Sequence, residues 1–361
     1  SNCLATKPSP PRNAVPEVTI VIPTYNRPER LLRTLRSLLA QTETSFDVIV
    51  VDDCSDIPIG SLIPTGLQDA LRLRLLRTEY NSGPAAARNL AVRAATAEFI
   101  AFLDDDVEAD QDWLAAHLAV ARSGPHVVSI GPLFAPADWR STPWNYWEAA
   151  TLARQYAAMT AGQYVPTWRQ FFTGSAMVRR ADILAVGGFD ERFTRAEDIE
   201  LALRLSRDGA QFVFASKAIG WHYANRNFAS WRTIPRAYAR FDVVLDALYP
   251  DVAWLEMIER EAGYRPRLAR VARRLARFRP LRPLMTGGAV AVARSSHAVH
   301  LRRVSTRTVS LLYDIEYHRA LRAARADGAS FEPNAAHART INPASTAPQP
   351  RESTVAFGSD S

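Results

Sequence analysis

Between Val18 and Leu103, short apolar runs alternate with helical patterns, and two of the runs end on acidic clusters. Val18-Thr19-Ile20-Val21-Ile22 reads as a strand that stops at Pro23. Pro28 suits a helix start, and Leu31, Leu32, Leu35, Leu38 and Leu39 then form one apolar stripe at helical spacing. Val48-Ile49-Val50-Val51 reads as a buried strand ending on Asp52-Asp53, and Leu73-Arg74-Leu75-Leu76 as a third. Gly83-Pro84 open a helix that runs to about Ala95, before a fourth strand, Phe99–Leu103, ends in Asp104-Asp105-Asp106. Repeated strand–helix–strand units favour parallel pairing through helical crossovers. The expected fold is therefore a Rossmann-like α/β domain, a mostly parallel sheet flanked by helices on both faces.

Beyond this repeat the pattern is less regular. Val127–Gly131 and Phe172–Val178 look like strands, separated by an aromatic-rich stretch with Trp139, Trp144, Trp147 and Trp168. A helix from about Glu197 to Ser206 precedes a short strand, Gln211–Ala215, and after Phe228 the chain turns helical and Arg-rich. The 361 residues, 47% hydrophobic and 22% charged, are those of an ordinary globular protein with room for about two domains. The expected division is a Pro-rich disordered lead-in over 1–16, an α/β domain over 17–228, a basic helical region over 229–326 and a disordered tail over 327–361.

The formal net charge of +7 is unevenly spread, since twelve Arg and no Asp or Glu occur between Ala262 and Tyr313. Such a block suggests an anionic partner, whether membrane surface, nucleic acid or phosphorylated substrate. Leu268, Val271, Leu275 and Phe278 fall at helical spacing with Arg267, Arg270, Arg274 and Arg277 beside them. That suits an interfacial helix on anionic lipid, and equally a helix packed on the domain with its Arg in water. The best apolar run, Met285 to Ala293, is far shorter than the roughly 20 residues of a membrane-spanning helix. Only two cysteines occur, Cys3 and Cys54, which favours a reducing compartment. The chain opens Ser1-Asn2-Cys3 without Met, as a processed form would.

In parallel α/β sheets, ligands bind where loops leave the carboxyl ends of strands. Here the acids gather at those ends. Alternate side chains of an extended segment share a face, so Asp104 and Asp106 can point to one place while Asp105 points away. Two such carboxylates suit Mg²⁺ or Mn²⁺ that keeps positions open for substrate phosphates. Alternatively they cap the helix near Trp113 to Arg122, although Asp110 or Asp112 could do that unaided.

Val18–Asn26, Val48–Ser55 (VIVVDDCS), Asn81–Asn89 (NSGPAAARN), Phe102–Asp106 (FLDDD) and Glu197–Arg204 (EDIELALR) together resemble the family 2 glycosyltransferases, in the family's order and over about residues 17–225. The resemblance implies a GT-A fold and a metal-dependent, inverting transfer from a nucleotide-diphosphate sugar to a glycan or lipid-linked acceptor. By position, Asp53 would accept from the ring N–H of the base, which suits uracil or thymine, with Thr24 and Tyr25 nearby; a turn role before Ser55 is the alternative. Arg88 and Asn89 would lie near the nucleotide and the aspartate loop, where an Arg fork suits phosphate; a solvated Arg is the plainer option. Ala91 departs from the family, many members having Gly there.

The resemblance also makes Asp104 and Asp106 the DxD motif, with Asp106 the more direct ligand of Mn²⁺ or Mg²⁺. His222, in Gly220-Trp221-His222-Tyr223, would be a further ligand, unless it is a satisfied structural histidine. Asp198 would be the base that takes the acceptor proton, although Glu197, Asp198 and Glu200 also suit a helix N-terminus on dipole grounds alone. At least one of the four Trp could stack on a sugar. The implied setting is polysaccharide, glycolipid or glycoconjugate synthesis in the cytoplasm, peripheral to the inner face of the membrane.

Rival classes fit less well. A nucleotidylyltransferase would want a Gly-rich phosphate loop after the first strand, and here that loop is Pro23-Thr24-Tyr25-Asn26-Arg27. A nicotinamide dehydrogenase fails for want of GxGxxG. A nucleic-acid-binding protein working through the Arg block would leave the strand-end aspartates unexplained, so no nucleic-acid partner is expected.

Overall fold

The computed structural model describes residues 15–137, 139, 141–193, 195–263 and 282–328. The lead-in up to residue 14, the tail from 329 and the Leu268–Phe278 helix expected from sequence lie outside them.

Four parallel strands, β1 (Val18–Thr24), β2 (Phe46–Asp52), β3 (Leu73–Arg77) and β4 (Phe99–Leu103), pair in the order β3-β2-β1-β4. Beside β4 comes an antiparallel strand spanning Ser175–Arg179, then Val127–Ile130 and Gln211–Phe214, which are parallel to each other and complete a seven-stranded sheet. In chain order these are β6 (Val127–Ile130), β8 (Ser175–Arg179) and β9 (Gln211–Phe214), because two short strands, β5 (Val107–Ala109) and β7 (Leu133–Phe134), intervene. Together with β10 (Gly220–His222) they form a separate three-stranded sheet. The expected mostly parallel α/β sheet is therefore what forms.

Strand alternation sorts the core. Ile20 and Ile22 of β1 meet Leu31, Leu35 and Leu38 of helix α1 (Pro28–Leu38) on one face. Val21 joins Ala85, Ala87 and Ala91 of α3 (Pro84–Ala94) on the other; the shorter α2 is Thr65–Ala70. All of these core side chains are about fully buried, and each Leu or Ile contributes about 1.5–3 kcal/mol. The Ala91 departure thus sits in the core against the sheet.

Several strand boundaries differ from expectation, two of them for a clear physical reason. β1 runs through Pro23 to Thr24, because its pairing with β4 has already ended at Val21 while pairing with β2 continues to Asp52. The Thr24 carbonyl faces β2 and accepts from Asp53 N–H at 2.9 Å, so the donor that Pro23 lacks falls on the side without a ladder. β8 begins only at Ser175, since Phe172–Gly174 is a turn in which Ser175 N–H donates to the Phe172 carbonyl.

The aromatic-rich stretch contains a helix that its composition hides, α5 (Pro143–Thr160), after α4 (Trp113–Ala121). Thr142 caps it, accepting from Asn145 N–H at 3.2 Å, with Pro143 as first helical residue. Asp112 stands at the N-cap of α4 without a side-chain capping bond and accepts instead from Thr42.

The chain then forms α6 (Arg180–Ala185), α7 (Glu197–Arg207), α8 (Phe228–Leu248), α9 (Trp254–Gly263), α10 (Arg282–Ala298) and α11 (Arg302–Ala326). Trp144, Trp231, Val309 and Leu312 weld α5, α8 and α11 together. Buried Glu316 on α11 accepts from Arg232 and Arg236 of α8 at 2.7 and 2.8 Å. Part of the basic excess is thus consumed in helix packing. None of the described helices is long and apolar enough to cross a membrane.

Candidate active site

The carboxyl ends of β1, β2 and β4 reach one rim of the sheet, where ligands of parallel α/β folds bind. Because β8 is antiparallel, the Thr173-Gly174 turn that feeds it arrives at the same rim. A Cβ at Gly174 would lie 3.0 Å from Asp104 Oδ2, so glycine lets this turn pass close beneath the acidic cluster. Rim, turn and the N-terminus of α7 enclose a cleft of about 680 Å³ that contains Thr24, Tyr25, Asp53, Arg88, Asp104, Asp105, Asp106, Asp198 and His222.

The three aspartates after β4 diverge because Asp105 and Asp106 lie in a turn, not in extended strand, closed by Val107 N–H donating to the Asp104 carbonyl at 3.2 Å. Asp105 turns into the protein, where it accepts from Thr24 Oγ1 at 2.8 Å and from Arg27 at 3.1 Å. Burial pushes its carboxyl up to about 6 against the pull of Arg27. Asp106 faces Arg30 at 3.1 Å and His222 Nε2 at 3.5 Å. Burial alone would raise its carboxyl; His222, Arg27 and Arg30 outweigh it and hold the group at about 2. Burial disfavours the His222 imidazolium, yet Asp106 raises its pKa overall. Asp104 is the most open of the three, 39% exposed, and accepts from Arg88 at 3.0 Å.

The two aspartates after β2 divide their work. Asp52 makes the turn, accepting from Ser55 and Ile59 N–H and pairing with Arg77. The turn role considered for Asp53 therefore falls to its neighbour. Asp53 instead accepts from Thr78 Oγ1, Ser82 N–H and Gly83 N–H at 2.8 to 2.9 Å, fixing the loop into α3 at the cleft edge. Gly83 has φ +86° and ψ 171°, a region essentially reserved for glycine.

Helix α7 begins after Ala196 in the left-handed region, φ 60°, which aims Glu197 and Asp198 towards the rim. The Asp198 carboxylate accepts from its neighbour Ile199 N–H at 2.9 Å. Burial, then the charge of Glu197, pushes its carboxyl up to about 7, with Arg88 opposing. Arg88 is deeply buried, and its fork spans Glu197 at 2.7 Å and Asp104 at 3.0 Å, tying the α7 acids to the β4 acids. Its Nε has no hydrogen-bond partner in the protein. Asn89 is turned away from the cleft. Its amide brackets the Phe189 backbone, accepting from N–H and donating to the carbonyl at 2.8 Å, and also reaches Glu191. Of the residues the sequence assigns to nucleotide, metal or base roles, Asn89 alone is not among those lining the cleft.

Residues 19–187 match the model of glycosyl transferase family 2. Those residues form a domain of the family 2 glycosyltransferase type. The chain is 30% identical over 236 residues to the pre-mycofactocin glycosyltransferase of Mycobacterium tuberculosis, covering 65% of this chain and 48% of that protein. It is 32% identical over 234 residues to the validoxylamine A glucosyltransferase of Streptomyces hygroscopicus subsp. jinggangensis, covering 57% and 55%. The chain thus spans about half the length of these curated relatives. Among solved structures, S. aureus TarS 1-349 in complex with UDP-GlcNAc superposes with a TM-score of 0.52 at 18% identity, covering 86% of this chain and 92% of that one, a likeness of fold.

In this glycosyltransferase domain no three His, Cys, Asp or Glu side chains among the described residues form a ready-made metal cage. The donor set nonetheless fits a cation whose shell is completed by substrate. Asp106 and His222 face each other, Asp104 stands on the same rim, and Arg27 and Arg30 crowd the Asp106 charge. Sequence reasoning gave no site role to Arg27, Arg30 or Glu197, all in the cleft; for the two Arg the signal was the rim acids, which need countercharge, and for Glu197 its place next to Asp198. Of the four Trp, only Trp147 lines this cleft, while Trp144 is in the helical core, Trp168 packs on Trp254 and Trp139 on Tyr223.

Proposed function

We propose that this chain transfers a sugar, with inversion, from a nucleotide-diphosphate donor to a glycan or lipid-linked acceptor hydroxyl. The observation that carries the reading is the convergence of Asp53, Asp106 and Asp198, from three separate elements, on one cleft of about 680 Å³. UDP- or dTDP-sugars are favoured on the reading that Asp53 at the cleft edge would accept from a pyrimidine ring N–H, with Thr24 and Tyr25 in the same cleft; the UDP-GlcNAc complex of TarS is in keeping with this. Asp106, Asp104 and His222 would hold Mn²⁺ or Mg²⁺, which when bound neutralises charge on the departing diphosphate. Arg27 and Arg30 add positive charge on the same side. Asp198 takes the proton of the attacking hydroxyl as the acceptor oxygen bonds to the anomeric carbon and the bond to the diphosphate breaks. A carboxylate whose affinity for protons is raised by burial is a stronger base for that task. Arg88 is a positioning residue that holds Asp104 and Glu197 in register.

Residues 17–228 would form the catalytic domain, and the helices from 229 to 326 would close its acceptor side. The Arg-rich segment would attach the protein peripherally to anionic membrane; failure to float with anionic vesicles at low salt refutes that attachment. The test of the chemistry is Asp198→Asn. It should bind UDP with Mn²⁺ like the parent in calorimetry while turnover falls about 10²–10⁴-fold. Full turnover in that variant means another residue is the base.

A further inference from the structure

Beside the cleft lies a second hollow of about 420 Å³, between the Leu133–Trp139 segment and α5. Both volumes are in the ~300–1,000 Å³ range of small-ligand pockets. The two share Leu133, Glu148, Leu152, His222 and Ala224, so they meet along Glu148 and His222. Three buried polar atoms on this path have no hydrogen-bond partner in the protein. They are Asn145 Oδ1 on the second hollow, Glu148 Oε2 where the hollows meet, and Arg226 Nε in the cleft. Asn145 is 5% exposed, and its Nδ2 is committed to the Ala224 carbonyl at 2.7 Å, which leaves the amide oxygen unused. Glu148 Oε2 and Arg226 Nε approach to 3.4 Å as an ion pair, without hydrogen-bond alignment.

Buried polar atoms without partners are costly, so they persist where something polar fills them. Two acceptors and one donor along a trough walled by Trp139 and Trp147 match the hydroxyls and apolar faces of successive pyranose rings. The lining also carries Arg226 and Arg302, so charges of both signs face the hollows, and a neutral polyol, whose hydroxyls both donate and accept, matches such a mixed lining while donating to Glu148 and Asn145. We infer that the second hollow is an acceptor subsite for a neutral glycan of at least two sugar residues. The reacting ring sits in the cleft with Asp198, and the next ring passes Glu148 and donates hydroxyls to Glu148 and Asn145. This rests on the transfer reading proposed above.

Saturation-transfer NMR titrations, with UDP and Mn²⁺ present, compare the methyl glycosides of glucose, galactose and N-acetylglucosamine with those of cellobiose, lactose and chitobiose. At least one disaccharide should bind tenfold or more tightly than its monosaccharide. Asn145→Ala and Glu148→Ala should each erase that gain while monosaccharide affinity and calorimetric UDP binding stay as in the parent, which also reports that the variants are folded. Equal affinities across the panel, or a gain that survives both substitutions, overturn the subsite. A parent protein that binds neither UDP nor dTDP in calorimetry refutes the donor reading itself, a separate outcome.

Discussion

Replacing Arg88 by Met keeps an apolar stem and removes the fork that joins the two acidic elements. The cost can be worked arm by arm. The arm to Glu197 is a 2.7 Å pair between side chains 5% and 8% exposed. Removing one partner of such a buried pair costs about 3–5 kcal/mol, because the other charge stays behind without compensation. The arm to Asp104 ends on a carboxylate 39% exposed, where solvent screens the pair and its contribution is about 0–1 kcal/mol. Arg88→Met should therefore lose about 3–5 kcal/mol, almost all of it through Glu197. Urea unfolding measures it as a lower midpoint at constant slope. In the double variant Arg88→Met/Glu197→Gln the stranded charge is gone, so the loss should fall well short of the sum of the single losses, with a coupling of about 1–3 kcal/mol. A single-variant loss under about 1 kcal/mol, or strict additivity, would refute the positioning role. A drop in UDP affinity with stability intact would point instead to direct contact of Arg88 with phosphate.

Two further outcomes are expected. Asp106→Ala should abolish the Mn²⁺-dependent part of UDP binding in calorimetry, and an unchanged metal dependence would remove Asp106 from the metal site. Asp198, raised to about 7, acts as base only when ionised, so kcat/KM should fall as the pH drops through about 7, and a flat profile there would exclude it. The same shift sets a sign on stability. The folded state holds this proton more tightly than the unfolded chain, whose aspartate titrates near 3.8, so the group's contribution is complete below that value and is lost as pH rises through about 7.

β1, β2 and β4 were legible because strands buried on both faces are near-continuous apolar runs, and parallel pairing leaves little else for such runs to do, while the edge strand β3 reads as a half-buried Leu-Arg-Leu-Leu run. The rim acids were legible because carboxylates at strand ends have few structural uses. Other features depend on direction, which a sequence does not carry. Asp52 and Asp53 are adjacent, yet one carboxylate turns back into the β2 turn and the other into the loop before α3. Arg88 and Asn89 are consecutive on a helix and so point about 100° apart, one to the cleft and one to the Phe189 backbone. Helix α5 was hidden because it has partners on more than one side, Trp144 and Trp147 towards α8 and α11 and Tyr156 against Phe134 and Phe214, so its apolar residues do not form a single stripe. Thr142-Pro143 was the overlooked signal of its start.

The reversed direction of β8 has an evolutionary corollary. A parallel strand is entered from the far edge of the sheet, so lengthening the connection before it alters only the back of the molecule. The segment of residues 161–174 enters from the ligand side, which lets insertions there reshape the mouth of the site while the hydrogen-bond ladder from Ser175 to Arg179 keeps its register. Substrate range could thus diversify at this one hairpin-like entry without renegotiating the sheet.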